Sequence, residues 1–292
     1  MTTLWRLSAH VDFGILGDLA NRLALLETTQ AFDWSLYDEG DIARLDILFE
    51  SEPDTADFRR AAELPEDQVI DLTRFAEADR HLLQEPGLKP CKIGRFVLGD
   101  AGAMQVAAHE IAIDVRAGDS FGSGRHPSTR GCLERLDRMS VDGFKAARIL
   151  DMGCGSAILA IAASKLYPDA ALTAVDADAG AIVDARANCQ RNQAEHIHLL
   201  QSEGYAHDQL REARFDLVVV NVYGPLHIEL TPYTRRAIAP GGRAMLSGLQ
   251  LDAEDATRAA IKQAGLRITD RVRIENWLTL TVEIAEQGEK DQ

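Results

Sequence analysis

Hydrophobic positions change period along the chain, and the changes delimit its elements. L-W-R-L-S-A-H-V at 4–11 reads as a strand, and 14–27 reads as a helix with Ile15, Leu16, Leu19, Leu23 and Leu26 mainly on one face. A-F-D-W-S-L-Y at 31–37 and A-R-L-D-I-L-F at 43–49 flank the turn-forming D-E-G-D, which is a hairpin signal. A short helix at about 55–63 and a strand near 69–74 complete β-α-β-β-α-β. That order predicts a small ferredoxin-like α+β domain over 1–75. It contains no catalytic cluster, and His10, Phe32 and Trp34 are expected to pack in the core or on the sheet face.

Residues 76–104 read as a connection: a helix at 76–86 that ends before E-P-G, then a strand-like stretch at 89–98. E-I-A-I-D-V at 110–115 is a further strand leading into the second domain. From there short apolar runs alternate with helical segments. The strands are A-R-I-L-D ending at Asp151, A-L-T-A-V-D at 171–176, H-I-H-L-L at 196–200, F-D-L-V-V-V-N at 215–221 and R-A-M-L-S-G at 243–248, followed by 266–274 and 277–284. Helices are expected after the glycines at 153 and 155, at 179–192, at 226–239 and at 253–264. Such alternation requires a parallel sheet. Residues 105–286 are therefore expected to form an α/β, doubly wound, seven-stranded Rossmann-like domain whose last strand pair is antiparallel, and 287–292 a disordered tail.

Composition narrows the setting. Of the 292 residues 46% are hydrophobic, but no run approaches the roughly 20 apolar residues a membrane span needs. Asp12 interrupts the start before a hydrophobic region forms, so neither a secretory signal nor a membrane partner is expected, and a cytoplasmic protein is. A formal charge of −15 argues against broad contact with a nucleic-acid backbone and accommodates a basic partner, although acidity also serves solubility. Cys91, Cys132, Cys154 and Cys189 lie far apart without metal-ligand spacing, which predicts reduced thiols and no metal site.

Candidate chemistry gathers at strand ends. Gly153 and Gly155 allow a sharp turn and close approach to a ligand, and N–H groups at the start of the following helix are expected to face an anionic group. Asp176 stands 21 positions beyond Gly155, at the end of the second strand, where an acidic residue accepts from ribose hydroxyls. Asn221, ending the fourth strand, falls where open α/β sheets bind ligands, while Ser202 and Glu203 could approach a cofactor base or simply be turn residues. In the loop F-G-S-G-R-H-P-S-T-R-G-C-L, Ser128 or Thr129 is expected to cap a helix and His126 to order the loop. A dinucleotide fingerprint would need glycine at 158, and Ile158 stands there.

The pattern D-x-G-x-G-x-A with Asp176 and Asn221 resembles class I S-adenosylmethionine-dependent methyltransferases. Together with the Gly-rich loop from Phe121, V-D-A-D, A-P-G-G-R-A-M-L-S-G and the closing W-L-T-L, it resembles more narrowly the PrmA-type family that methylates ribosomal protein L-eleven. The resemblance implies S-adenosylmethionine as cofactor, a ribosomal large-subunit protein as partner, an N-terminal domain that recognises it, and methylation of its amino groups. Carried over by position, it implies that Thr129, Gly153, Asp176 and Asn221 bind the cofactor, with Gly155 in the same cradle. Asn221 and carbonyls of the 222–224 loop are expected on the acceptor amine, with Tyr223 along its channel. Three departures stand out: Ala157 at the third cradle glycine, one residue fewer between Asn221 and Pro225, and no tryptophan around 74–89. Competing readings are methylation of another protein or a small molecule, and a binding module of this fold without transfer chemistry.

Overall fold

The computed structural model describes residues 3–12, 31–38, 42–76, 90–102, 104–115, 124, 126–222 and 225–285. The helix expected at 14–27, most of that at 76–86, the side chains of Phe32 and Trp34, Tyr223, Gly224 and the tail lie outside the described residues. The chain divides into two compact units.

The first unit holds β1 (Thr3–Asp12), β2 (Ala31–Asp38), β3 (Ile42–Phe49), α1 (Thr55–Ala61) and β4 (Ile70–Ala76). Its four strands pair antiparallel in the order β2-β3-β1-β4. Alternate residues of a strand share a face, so Leu7, Ala9 and Val11 of β1 join Leu45, Ile47 and Phe49 of β3 in one apolar layer. Phe58 and Ala62 complete this layer from α1, which Asp54 caps by accepting from the Ala56 N–H at 2.8 Å. His10 falls on the opposite face of β1 and is exposed, so it is not part of this core.

The second unit starts with a three-stranded sheet, β5 (Cys91–Ile93), β6 (Phe96–Gly99) and β7 (Ile111–Asp114), in that order. β5 and β6, which lie in the stretch expected to be a connection, thus belong with the second unit. The elements that follow are α2 (Pro127–Val141), β8 (Arg148–Met152), α3 (Ile158–Leu166), β9 (Ala171–Asp176), α4 (Ala179–Arg191) and β10 (His198–Gln201). After them come α5 (Asp208–Arg211), β11 (Phe215–Asn221), α6 (Pro225–Ala237), β12 (Ile238–Gln250), α7 (Glu254–Gln263), β13 (Leu266–Ile274) and β14 (Trp277–Ile284). β12 begins directly after α6 and absorbs A-P-G-G, which the sequence placed at the end of a helix.

Seven strands form one sheet in the order β10-β9-β8-β11-β12-β14-β13, with β14 antiparallel to both neighbours. Helices cover both faces, so central strands are apolar without a break. In β11, Leu217 and Val219 enter one core with Leu133, Leu136 and Ile161, while Val218 and Val220 enter the other with Leu246, Ile261 and Leu280. The order reverses between β8 and β11: β9 and β10 lie on one side, β11 and β12 on the other. A crevice opens at such a switch point, beyond the carboxyl ends of the strands. Val220 pairs with Met152 there, bringing the glycine turn beside Asn221.

Candidate active site

The turn after β8 is built by three residues in the left-handed region: Gly153 (φ +70°), Gly155 (φ +49°) and Ala157 (φ +60°). A side chain on Gly153 would also meet the Val222 Cγ1, with its Cβ only 2.5 Å away. The turn is tied to β9. The N–H groups of Gly153 and Cys154 donate to the Val175 carbonyl at 2.8 and 2.9 Å, and the Gly155 N–H donates to Asp176 Oδ2 at 2.8 Å. Asp176 Oδ1 accepts from the Asp178 N–H at 3.0 Å. These turn donors, unlike those expected from the sequence, are spent within the protein. Ala157 at the N-cap position offers α3 no side-chain acceptor and Asp151 takes only the Ala160 N–H, so the N–H groups before Ala160 are the part of the cradle that suits an anion.

Beneath the turn lies Asp151, fully buried. Its Oδ2 accepts from the Ala160 N–H at 2.9 Å, while Oδ1 has no hydrogen-bond partner. Burial pushes the carboxyl up to about 7, the Asp176 charge adding to the rise.

Asn221 ends β11 half-buried, and its Nδ2 donates to Thr129 Oγ1 at 3.3 Å. Thr129 is 1% exposed and lies in the first turn of α2, but it is not the cap. The cap is His126, whose Nδ1 accepts from the Ser128 N–H at 3.3 Å and lies 2.8 Å from Ser128 Oγ, with Pro127 opening the helix. The ring meets Trp277 edge-on at 4.5 Å, and burial pushes its pKa down to about 4. It is a neutral acceptor that orders this end of the loop, as the sequence suggested. Ser128 is itself held, its carbonyl accepting from Ser247 Oγ at 3.0 Å.

Val222 follows Asn221 and turns inward. Its carbonyl lies against Gly248 (φ +84°), where any Cβ would collide with it. The rest of the 222–224 loop expected on the acceptor amine lies outside the described residues. His227, which sequence reasoning passed over, is 1% exposed, and its Nε2 donates to the Ser247 carbonyl. Ser202 closes its own turn, its hydroxyl donating to the Gly204 carbonyl and accepting from the His207 N–H, and Glu203 is exposed.

Gly153, Gly155, Asp176 and Asn221 thus converge at the carboxyl ends of β8, β9 and β11, with Thr129 hydrogen-bonded to Asn221. Tyr223 lies outside the described residues. Among the described residues no helix is long and apolar enough to cross a membrane.

Residues 18–284 match the family described as Ribosomal protein L11 methyltransferase (PrmA). A relative named ribosomal protein L11 methyltransferase from Brucella abortus (strain S19) is 38% identical over 197 residues, covering 66% of this chain and 68% of the relative. A protein of the same name from Bradyrhizobium diazoefficiens is 36% identical over 197 residues, 66% of each chain. The crystal structure of a ribosomal protein L11 methylase from Lactobacillus delbrueckii subsp. bulgaricus superposes with a TM-score of 0.62 at 22% identity. It covers 68% of this chain and all of that one, and shows a shared fold.

Proposed function

Because the chain belongs to the ribosomal protein L11 methyltransferase family, we propose that it transfers methyl groups from S-adenosylmethionine to amino groups, on lysine side chains or the N-terminus, of that ribosomal protein. The observation that carries the reading is the hydrogen bond from Asn221 Nδ2 to Thr129 Oγ1. With the amide's donor end held, Oδ1 is the acceptor offered to an amine at the crevice.

The cradle fits the cofactor. Asp176 uses its two oxygens on two N–H groups and, as a carboxylate with about four lone-pair sites, retains capacity for ribose hydroxyls. Gly153 and Gly155 shape the turn, and the N–H groups of α3 ahead of Ala160, which Asp151 does not take, suit the cofactor's carboxylate. Bound there, S-adenosylmethionine supplies an electrophilic methyl on a sulfonium.

The chain's own task is to present a neutral amine in line. A free lysine has a pKa of about 10.4, so roughly one in a thousand is deprotonated at neutral pH. A carboxylate at position 221 would favour the ammonium form, whereas the Asn221 amide accepts an N–H without that penalty. Holding the pair in reacting geometry is worth up to roughly 7–11 kcal/mol in favourable systems. Tyr223 is assigned to the acceptor channel, and the N-terminal unit to recognition of the ribosomal protein.

The test is mass spectrometry of the purified ribosomal protein after incubation with this enzyme and S-adenosylmethionine. Methyl increments mapped to amino groups support the reading, and an unmodified protein contradicts it.

A further inference from the structure

Burial along the start of α6 is inverted. Leu226 and Ile228 are 44% and 45% exposed, while His227 between them is 1% exposed. A helix normally buries its apolar residues and shows its polar ones, and burying an imidazole costs free energy unless it is hydrogen-bonded. His227 recovers that cost from one backbone group: its Nε2–H donates to the Ser247 carbonyl. Thr231 Oγ1 donates back to the His227 carbonyl at 2.6 Å, fixing the first turn of the helix.

Ser247, the partner of His227, pairs with Asn221 across β11 and β12. Val222 is the residue after Asn221, its side chain over Gly153 and its carbonyl over Gly248. Ser247 reaches the other side: its Oγ donates to the Ser128 carbonyl at 3.0 Å and lies 2.7 Å from Thr279 Oγ1. Ser128 precedes Thr129, which receives the Asn221 amide. Asn221 is therefore tied to Ser247 by the β11–β12 pairing and through Thr129 and Ser128, and His227 fastens the start of α6 to the same Ser247.

We propose that His227 is a positioning residue for methyl transfer, fastening the start of α6 to Ser247, the strand partner of Asn221, and so holding Asn221 toward the acceptor amine while leaving the cofactor cradle to other residues. The inference rests on the function proposed above. Its chemistry needs one N–H at the Nε2 position rather than a charge, so glutamine can replace the ring and methionine cannot.

The test compares His227→Met and His227→Gln with the wild type. In His227→Met the Kd for S-adenosylmethionine by calorimetry stays within about threefold, while kcat on the ribosomal protein falls at least about tenfold with KM within about threefold. In His227→Gln kcat returns to within about threefold of wild type. Wild-type kcat in the Met variant, equal loss in the Gln variant, or parallel loss of cofactor binding each overturns the inference. Should His227→Met not fold, His227→Asn, polar but too short to reach Ser247, takes its place with the same expected split. If the wild type fails to methylate the ribosomal protein, the proposed function fails, and His227 is then read from the Asn221 side-chain amide resonance, assigned by its loss in Asn221→Asp. Slow exchange of that amide in the wild type and His227→Gln but not in His227→Met supports the role, and identical exchange in all three overturns it.

Discussion

The Asn221 amide reaches the Thr129 hydroxyl at 3.3 Å across 92 residues of sequence, joining the end of β11 to the first turn of α2. Thr129→Val keeps the shape of the buried side chain and removes the acceptor. Losing one such bond costs about 0.5–1.5 kcal/mol, which corresponds to roughly a 2- to 12-fold loss in rate if Asn221 acts as proposed. Steady-state kinetics with the ribosomal protein measures this, and an unchanged kcat/KM removes Thr129 from the site.

Asp176 holds the Gly155 N–H and the Asp178 N–H at once. Asp176→Ala frees both donors and removes the proposed ribose acceptor. The Kd for S-adenosylmethionine is expected to rise at least about tenfold, equivalent to about 1.4 kcal/mol. Calorimetry checks it; a Kd within twofold of wild type contradicts the assignment.

Gly248 lies where any side chain would strike the Val222 carbonyl, and its φ of +84° is strained for any other residue. Gly248→Ala is expected to destabilise the fold by about 2 kcal/mol or more, from the strained backbone and the displaced turn together. Denaturant melts report the stability. Gly143→Ala is the control: it has a similar φ of +81° but nothing within 4 Å of an added Cβ, so it shows the backbone cost alone.

Three buried groups give the stability a pH dependence. His126 and His227 are pushed down to about 4 by burial, so between about pH 6.5 and 4 the unfolded chain binds protons that the native rings refuse, and stability falls as pH falls. Asp151 is pushed up to about 7, so the native state holds a proton the unfolded chain lacks, and its contribution falls as pH rises from about 4 to 7. In the acid window two rings oppose one carboxyl. The two rings outweigh the one carboxyl, so stability falls as pH falls, and Asp151→Asn steepens that fall. Urea melts across this range check the prediction; equal slopes in both proteins contradict it.

The sequence exposed whatever depended on local pattern. β11 was legible because burial on both faces leaves an unbroken apolar run, and Asp176 and Asn221 because ligand groups sit at strand ends. The alternation in β1 and β3 revealed the N-terminal sheet. What stayed hidden depends on partners distant in sequence. The turn donors at 153 and 154 are taken by the Val175 carbonyl, which no local signal announces. His126 caps α2 although histidine is not a usual cap, since Pro127 fixes the helix start two residues earlier than a Ser128 cap would. His227 reads as an exposed polar residue in P-L-H-I-E-L until β12 supplies its acceptor. A lone polar residue between two apolar ones at a helix start, just after a strand-end asparagine, was the available clue.

On the proposed function, this site delivers a methyl group from S-adenosylmethionine to an amine held by Asn221. Single-turnover transfer to the purified ribosomal protein, followed by mass spectrometry in parallel with cofactor calorimetry, tests it most directly. Methylated amino groups are expected with the wild type, and with Asn221→Ala at least about a hundredfold slower transfer while S-adenosylmethionine still binds. Wild-type enzyme that binds the cofactor yet leaves every amino group unmodified, or Asn221→Ala that transfers at the wild-type rate, would contradict it.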